Sequence, residues 1–458
     1  MKKLLYVLLL SVAGMYLATA CNDIEEPVIA TLEPARMVSS TPANGSIDLP
    51  EGNITFELTY NQNVFSPSAE HSRVTLEGAT ITSVSASLSK VTVQATGLEK
   101  GKNYKLVIPE GVIIGPTKVG ATEAVINFTT VANPTIVTTL CTPNALPAAQ
   151  KVYDFLLENY GKKTLSATMA NVNWNIGQAE RVHTLTGKYP AMNCFDYIHL
   201  YASPSNWIDY SDISVVKDWW DAGGLVAAMW HWNVPTSDPQ NADTGADEIS
   251  YSFNSANNHF DAANATVEGT WENKVFADDL AKVVTHLKLL QESGIPVIWR
   301  PFHEAAGGWF WWGKDAGSFK KLWVAMFDTF QAQGLNNLIW VWTSESGDQA
   351  WYPGDSYVDI IGRDLYGKEA TDAVAGYTAL AEQYGSKMIT LSECGAYMDN
   401  NASMAKLSAQ WDAGARWLYF MPWYDGEGAA IQHADDAWWQ DAMNQTYVIT
   451  RENIPSMK

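Results

Sequence analysis

From about residue 148 to the C-terminus, short apolar runs alternate with stretches of helical period, and this alternation narrows the fold more than any other feature. Eight runs read as strands: Leu165–Ala170, Pro190–Asp196, Leu225–Trp232, Pro296–His303, Leu338–Thr343, Val358–Leu365, Met388–Glu393 and Trp417–Pro422. Short apolar runs bounded by breakers are the pattern of buried strands. Stretches such as Asn273–Glu292 and Ser318–Gln333 fit helices between them. Strands that alternate with helices imply a parallel sheet, because parallel neighbours need a long crossover. Eight such units predict a (β/α)8 TIM barrel with long loops over 148–458. The segment 233–271, rich in Asn, Ala and Asp, is expected to be a loop on the face where the strands end.

The chain before the barrel is of a different kind. Residues 1–20 read as an export signal: Lys2 and Lys3, then an apolar run from Leu4 to Leu17 that is short for a membrane span. The run ends Leu-Ala-Thr-Ala-Cys, which resembles a bacterial lipobox with Cys21 as the lipidated residue. Asp23, Glu25 and Glu26 follow, and this acidic patch resembles the surface-export signal of Bacteroidetes lipoproteins. The expectation is an outer-membrane lipoprotein, exposed at the cell surface, with a tether over 21–36. Residues 37–131 carry alternating runs such as Ile54–Thr59, Val91–Ala95 and Tyr104–Ile108, the pattern of an all-β sandwich. Thr41-Pro-Ala-Asn-Gly45, Leu98, Gly101, Tyr104 and the closing Asn127–Thr130 resemble bacterial Ig-like modules. That segment contains no Trp, which favours a spacer over a sugar-binding module. Residues 132–147 read as a linker.

The chemistry concentrates where barrel strands end. Residues 296–313 read PVIWRPFHEAAGGWFWWG: an apolar run, then Arg300, His303 and Glu304, then a glycine pair and four aromatics. In a parallel barrel that end of a strand is where reactive groups are placed. A carboxyl among indoles tends to keep its proton, because burial disfavours the anion, so Glu304 is a candidate proton donor. Alone, it is also readable as a structural acid paired with Arg300. A zinc site is disfavoured, since HExxH is absent: Ala305, Ala306 and Gly307 follow Glu304. A second carboxylate, Glu393, ends strand seven. The two strands lie on opposite sides of an eight-stranded ring, so both acids can flank one bond.

With Arg300-Pro-Phe-His-Glu304, Trp309, Asp364-Leu-Tyr366, Ser392-Glu393 and Trp230-His-Trp232 in place, the second domain resembles glycoside hydrolase family 26, a (β/α)8 family of clan A. The resemblance spans about 145–450. It implies retaining hydrolysis, mostly of β-1,4-mannan and less often of mixed-linkage β-glucan or β-1,3-xylan. It implies Glu304 as acid/base and Glu393 as nucleophile, with Tyr366 hydrogen-bonded to the nucleophile. His231 and His303 would contact the sugar at the point of cleavage, and Trp309 and Trp423 would wall the central subsites. Arg300 and Trp312 complete the expected substrate contacts. Tyr424 stands where mannanases of the family often carry a basic residue, which leaves the sugar preference open. No metal and no organic cofactor is implied.

Bulk composition limits the partners. A formal charge of −21 argues against nucleic acid and against electrostatic membrane binding; the expected partner is a neutral mannan-type polysaccharide, met by a monomer. Four cysteines without a CxxC pair give neither a zinc ribbon nor a disulfide framework. Twenty tryptophans exceed what a core needs and favour a stacking surface, with Trp174, Trp207, Trp311 and Trp351 as further outer-subsite candidates. A rival from another class is a non-catalytic surface glycan-binding lipoprotein; the presence of both carboxylates and Tyr366 argues against it.

Overall fold

The computed structural model describes residues 33–132, 134–171, 174–204, 208–239, 249–396, 403–426 and 432–458. The expected signal, Cys21 and most of the tether lie outside the described residues, as does Trp207. The chain divides into two compact units, Met1–Asn133 and Pro134–Lys458.

In the first unit, alternation does the folding. Strand Gly52–Tyr60 buries Ile54, Phe56, Leu58 and Tyr60 and turns the residues between them outward, as a one-face-buried strand must. It lies between Met37–Thr41 and Lys90–Leu98, with Thr80–Ser87 at the far edge. A second four-stranded sheet orders Ser46–Leu49, Ala124–Thr130, Asn103–Ile108 and Thr75–Leu76. Both inner faces share one core. Phe56 meets Phe128 at 5.4 Å between ring centroids, and Tyr104 stacks on Phe128 at the same distance. The unit is a β-sandwich.

The second unit is a closed barrel of eight parallel strands: Thr164–Met169, Met192–Asp196, Leu225–Met229, Val297–Arg300, Leu338–Ser344, Ile360–Tyr366, Met388–Gly395 and Tyr419–Pro422. Strand one pairs with both strand two and strand eight, which closes the ring. Most of these strands are buried along their whole length, which is why they read as continuous apolar runs. Helices cover the outside and start on their own caps. Thr270 accepts the amide of Asn273 at the head of Trp271–Glu292, and Asp315 accepts that of Ser318 at the head of Ala316–Ala332.

Three features differ from expectation. A ninth short strand, Val448–Ile449, pairs in parallel with strand one. The stretch read as a linker is fastened to the barrel unit: Val137 donates its amide to Ser386, and Cys141 donates its amide to Asp359 at 2.6 Å. The tryptophans are mostly interior, not a stacking surface. Trp219, Trp232, Trp299, Trp312, Trp323, Trp340, Trp342 and Trp417 are fully buried, and among the described residues only Trp309 is an exposed Trp. No described helix is long and apolar enough to cross a membrane.

The barrel wall leaves little room at one point beside the functional end. A Cβ on Gly362, in strand six, would fall on the Ser392 side chain of strand seven, and Ser392 donates its hydroxyl to Asp364 at 2.7 Å. We therefore expect Gly362→Ala to cost about 1–3 kcal/mol in a denaturant titration, the range for overpacking a filled core. An unchanged midpoint would contradict this packing.

Candidate active site

Strand four ends at Arg300, three residues before the expected end at His303. Phe302 and Glu304 adopt positive φ, 50° and 51°, outside the extended region. Such backbone costs roughly 1–3 kcal/mol per residue, and the surroundings hold it there. The Trp312 indole donates to the His303 carbonyl at 2.9 Å. The Gly307 amide donates to the Glu304 carbonyl at 3.1 Å. A Cβ on Gly307 would strike the Trp309 ring; without one, Trp309 folds over and donates its indole N–H to Glu304 Oε2 at 3.0 Å. Gly307 thus serves the placement of a single indole.

Glu393 arrives from strand seven with both oxygens occupied. Arg300 donates to Oε1 at 2.6 Å, and the Tyr366 hydroxyl donates to Oε2 at 2.7 Å. Arg300 also pairs with Asp364 and donates Nε–H to Thr343 Oγ1 at 2.8 Å. Carboxylate oxygens of Glu304, Asp364 and Glu393 lie within 4.8 Å of one another. Three such oxygens could surround a cation. Here the Arg300 guanidinium already bridges Asp364 and Glu393, so the protein supplies the positive charge itself.

The electrostatics separate the acids. Burial, then the charges of Asp364 and Glu393, push the Glu304 pKa far above the ordinary glutamate value, against the pull of Arg300. Burial also raises Asp364. Burial alone would lower Arg300, but the Asp364 and Glu393 charges more than offset it. The outcome is a protonated Glu304 facing two carboxylates that share one guanidinium.

Two histidines line the same opening. His231 donates its amide to Asp196 Oδ1 at 3.0 Å, and its Nδ1 faces Asp196 Oδ2 at 2.6 Å. A carboxylate acceptor fixes Nδ1 as the donor. His303 lies edge to face with His231 at 4.5 Å. Burial, followed by His231 and Arg300, holds its pKa well below the usual value, so it stays neutral. Trp423 is half-buried and meets His231 at 5.7 Å.

The expected residues Glu304, Glu393, Tyr366, His231, His303, Arg300, Trp309 and Trp423 therefore gather at one end of the barrel. Three residues expected to touch substrate are buried instead. Trp312 is fully buried, stacked on Phe310 at 4.5 Å, and offers no face to a ligand. Trp311 is likewise buried, donating to the Trp232 carbonyl. Arg300 is buried beneath the carboxylates and orients them. Asp364, Asp196, Ser392 and Thr343 had no role assigned from sequence; each ends a barrel strand, or nearly so, and that position was the available signal.

A sequence profile of glycosyl hydrolase family 26 matches residues 141–453. The chain belongs to glycosyl hydrolase family 26. Among solved structures of the family, the family 26 domain of an endo-beta-mannanase/endo-beta-glucanase from Prevotella bryantii is 45% identical, with a TM-score of 0.64, covering 69% of this chain and 99% of that one. A beta-mannanase from a symbiotic protist of the termite Reticulitermes speratus, complexed with gluco-manno-oligosaccharide, is 32% identical, with a TM-score of 0.58, covering 70% and 99%. Mannan endo-1,4-beta-mannosidase A of Piromyces sp is 33% identical over 69% of this chain and 51% of its own. The chain spans about half the length of the curated Piromyces relatives it matches.

The family 26 barrel stores a cost at Glu304 that a neutral side chain would release. Between the unfolded glutamate pKa, about 4.3, and its raised folded value, the native state keeps a proton that the unfolded chain loses. Stability therefore falls as pH rises through that window. Glu304→Gln keeps the acceptor for Trp309 and removes the titration. We expect it to be more stable than wild type by about 0.5–2 kcal/mol at neutral pH, with the gain shrinking towards pH 4. Melting scans across pH check this; a gain that grows on acidification would contradict it.

Proposed function

We propose that this family 26 member is a retaining endo-β-1,4-mannanase acting on mannan, galactomannan or glucomannan. The observation that carries the reading is the approach of the Glu304 and Glu393 carboxylates to within 4.8 Å. Retaining glycosidases set their two carboxyls about 5–5.5 Å apart, whereas inverting enzymes need about 6.5–9.5 Å to admit a water. The mannanase names of the relatives support the choice of sugar.

In this reading Glu393, aimed by Arg300 and Tyr366, attacks the anomeric carbon. Glu304 gives its proton to the leaving oxygen, and a glycosyl ester forms on Glu393. The ester carries no charge, which withdraws one of the groups that raise the Glu304 pKa. Glu304 can then take a proton from the incoming water, which cleaves the ester with a second inversion. His231 and His303 meet the hydroxyls of the sugar being cleaved. Trp309 and Trp423 present indole faces beside it.

The remaining parts of the reading concern location. Cys21 carries the lipid that anchors the protein in the outer membrane, facing outward, and the β-sandwich is an Ig-like spacer. The enzyme acts as a monomer.

Activity is tested by reducing-end release from galactomannan, glucomannan, mixed-linkage β-glucan and β-1,3-xylan. We expect oligosaccharides from the mannans, released first as the β-anomer by NMR, and at least a 1000-fold loss in Glu393→Ala and Glu304→Ala, about 4 kcal/mol of barrel-face chemistry. Release from glucan or xylan only would change the substrate and keep the mechanism. Binding without release from any polymer would move the protein to the glycan-capturing class. For the anchor, Cys21→Ser should abolish incorporation of labelled palmitate and free the protein from membranes; labelling that persists would place the lipid elsewhere, and a wild-type chain that takes no label would carry none.

A further inference from the structure

Beyond the residues around the carboxylates, the loops after strands two and three share an aromatic pair that the mechanism does not use. Val234–Pro235 and Tyr251–Ser252 form a short antiparallel ribbon, with Pro235 opposite Tyr251. Several bonds fix it. Thr236 donates its amide to Ser250 at 2.9 Å, and the two hydroxyls meet at 2.5 Å. Beyond it, Ser255 donates its amide to the Trp309 carbonyl and Trp311 donates to the Phe253 carbonyl. The ribbon is thereby tied to the segment that follows Glu304.

Its direction can be followed ring by ring. Phe253 lies edge to face with His231 at 5.3 Å, so its side of the ribbon faces the cleavage point. Phe253 sits at the bend that ends the ribbon, and Tyr251 lies two residues before it, within about 7 Å along the chain. Tyr251 therefore stands about one sugar ring from Phe253. It is 40% exposed. Tyr201, on the turn Leu200–Ala202 after strand two, stacks on it at 4.8 Å with 27° between the planes. One face of the Tyr251 ring is thus backed by another ring, and the exposed remainder stays open to the solvent.

We propose that Tyr251, backed by Tyr201, is a distal sugar-binding platform that lengthens the binding cleft beyond the rings at the cleavage point. This rests on the β-mannan reading of the same site. A flat, rigid aromatic face suits the apolar side of a pyranose, loses little conformational entropy on binding, and tolerates side-chain substitution elsewhere on the sugar. Its effect falls only on chains long enough to reach it. The alternative is that the pair merely pins the loop, in which case ligand length is irrelevant.

The test is calorimetric binding of mannohexaose and mannotriose to the full chain carrying Glu304→Gln, so that nothing is hydrolysed, with and without Tyr251→Ala, Tyr251→Phe or Tyr201→Ala. Tyr251→Ala should weaken the hexaose about tenfold, equivalent to about 1.4 kcal/mol, and leave the triose unchanged. Tyr251→Phe should bind both like the parent, and Tyr201→Ala should fall between. Equal losses for both lengths, no loss for either, or no hexaose binding by the parent overturns the platform. Hydrolysis by the wild-type chain is scored separately: a hexaose that is bound in a length-dependent, Tyr251-dependent way but left uncleaved would sink the proposed activity and leave the platform standing.

Discussion

The functional end of the barrel depends on one buried cation. Arg300 leaves strand four and reaches Thr343 of strand five, Asp364 of strand six and Glu393 of strand seven. Taking a guanidinium out of water costs several kcal/mol, which only well-placed partners recover. Removing one partner of such a cluster costs about 3–5 kcal/mol, since the remaining charge is stranded. The same count assigns the protons. Three carboxyl groups lie close together and one cation is shared between two of them. The third, Glu304, takes an indole N–H and is crowded by the charges of Asp364, Glu393 and Glu345, so it is the group that keeps its proton.

Much of the fold was legible because parallel strands buried on both faces leave continuous apolar runs. The ends were less legible. Pro296–His303 reads as one run, yet the strand stops at Arg300 because Phe302 and Glu304 have left the extended region. Pro301, which has no amide hydrogen to give a neighbouring strand, was the available sign of that end; the positive φ angles had none, because Trp312 and Gly307, which hold them, come later in the chain. The abundance of tryptophan misled for a related reason. Composition records how many indoles a chain has, not which way they face. Trp299, Trp340 and Trp342 lie on barrel strands, and Trp323 on a covering helix, where large interior volume rather than a ligand accounts for them.

The candidate site was legible in its reacting groups and much less so in their supports. Glu304 and Glu393 could be paired from strand position alone. Asp196 was visible as the last residue of strand two, but its use appears only when strand three is beside it and His231 lies within hydrogen-bond reach. Asp364 was likewise visible beside Tyr366. Its bond to Arg300 joins residues on strands four and six, and a local motif cannot report a bridge that skips a strand. Tyr201 and Tyr251 show the same limit, since ring stacking across two loops has no signature in either.

Asp364 also explains how Arg300 stays compensated. In the proposed cycle Glu393 loses its charge each time the sugar ester forms. If Glu393 were the sole partner, every turnover would leave a buried guanidinium unpaired, at a cost set against the intermediate. Asp364 remains paired with Arg300 throughout and is itself held by Ser392. The ester therefore forms beside a cation that keeps a partner, and the Arg300 donor that aimed the carboxylate stays in position for its release. A second buried carboxylate, expensive on its own, makes the charge of the nucleophile free to come and go.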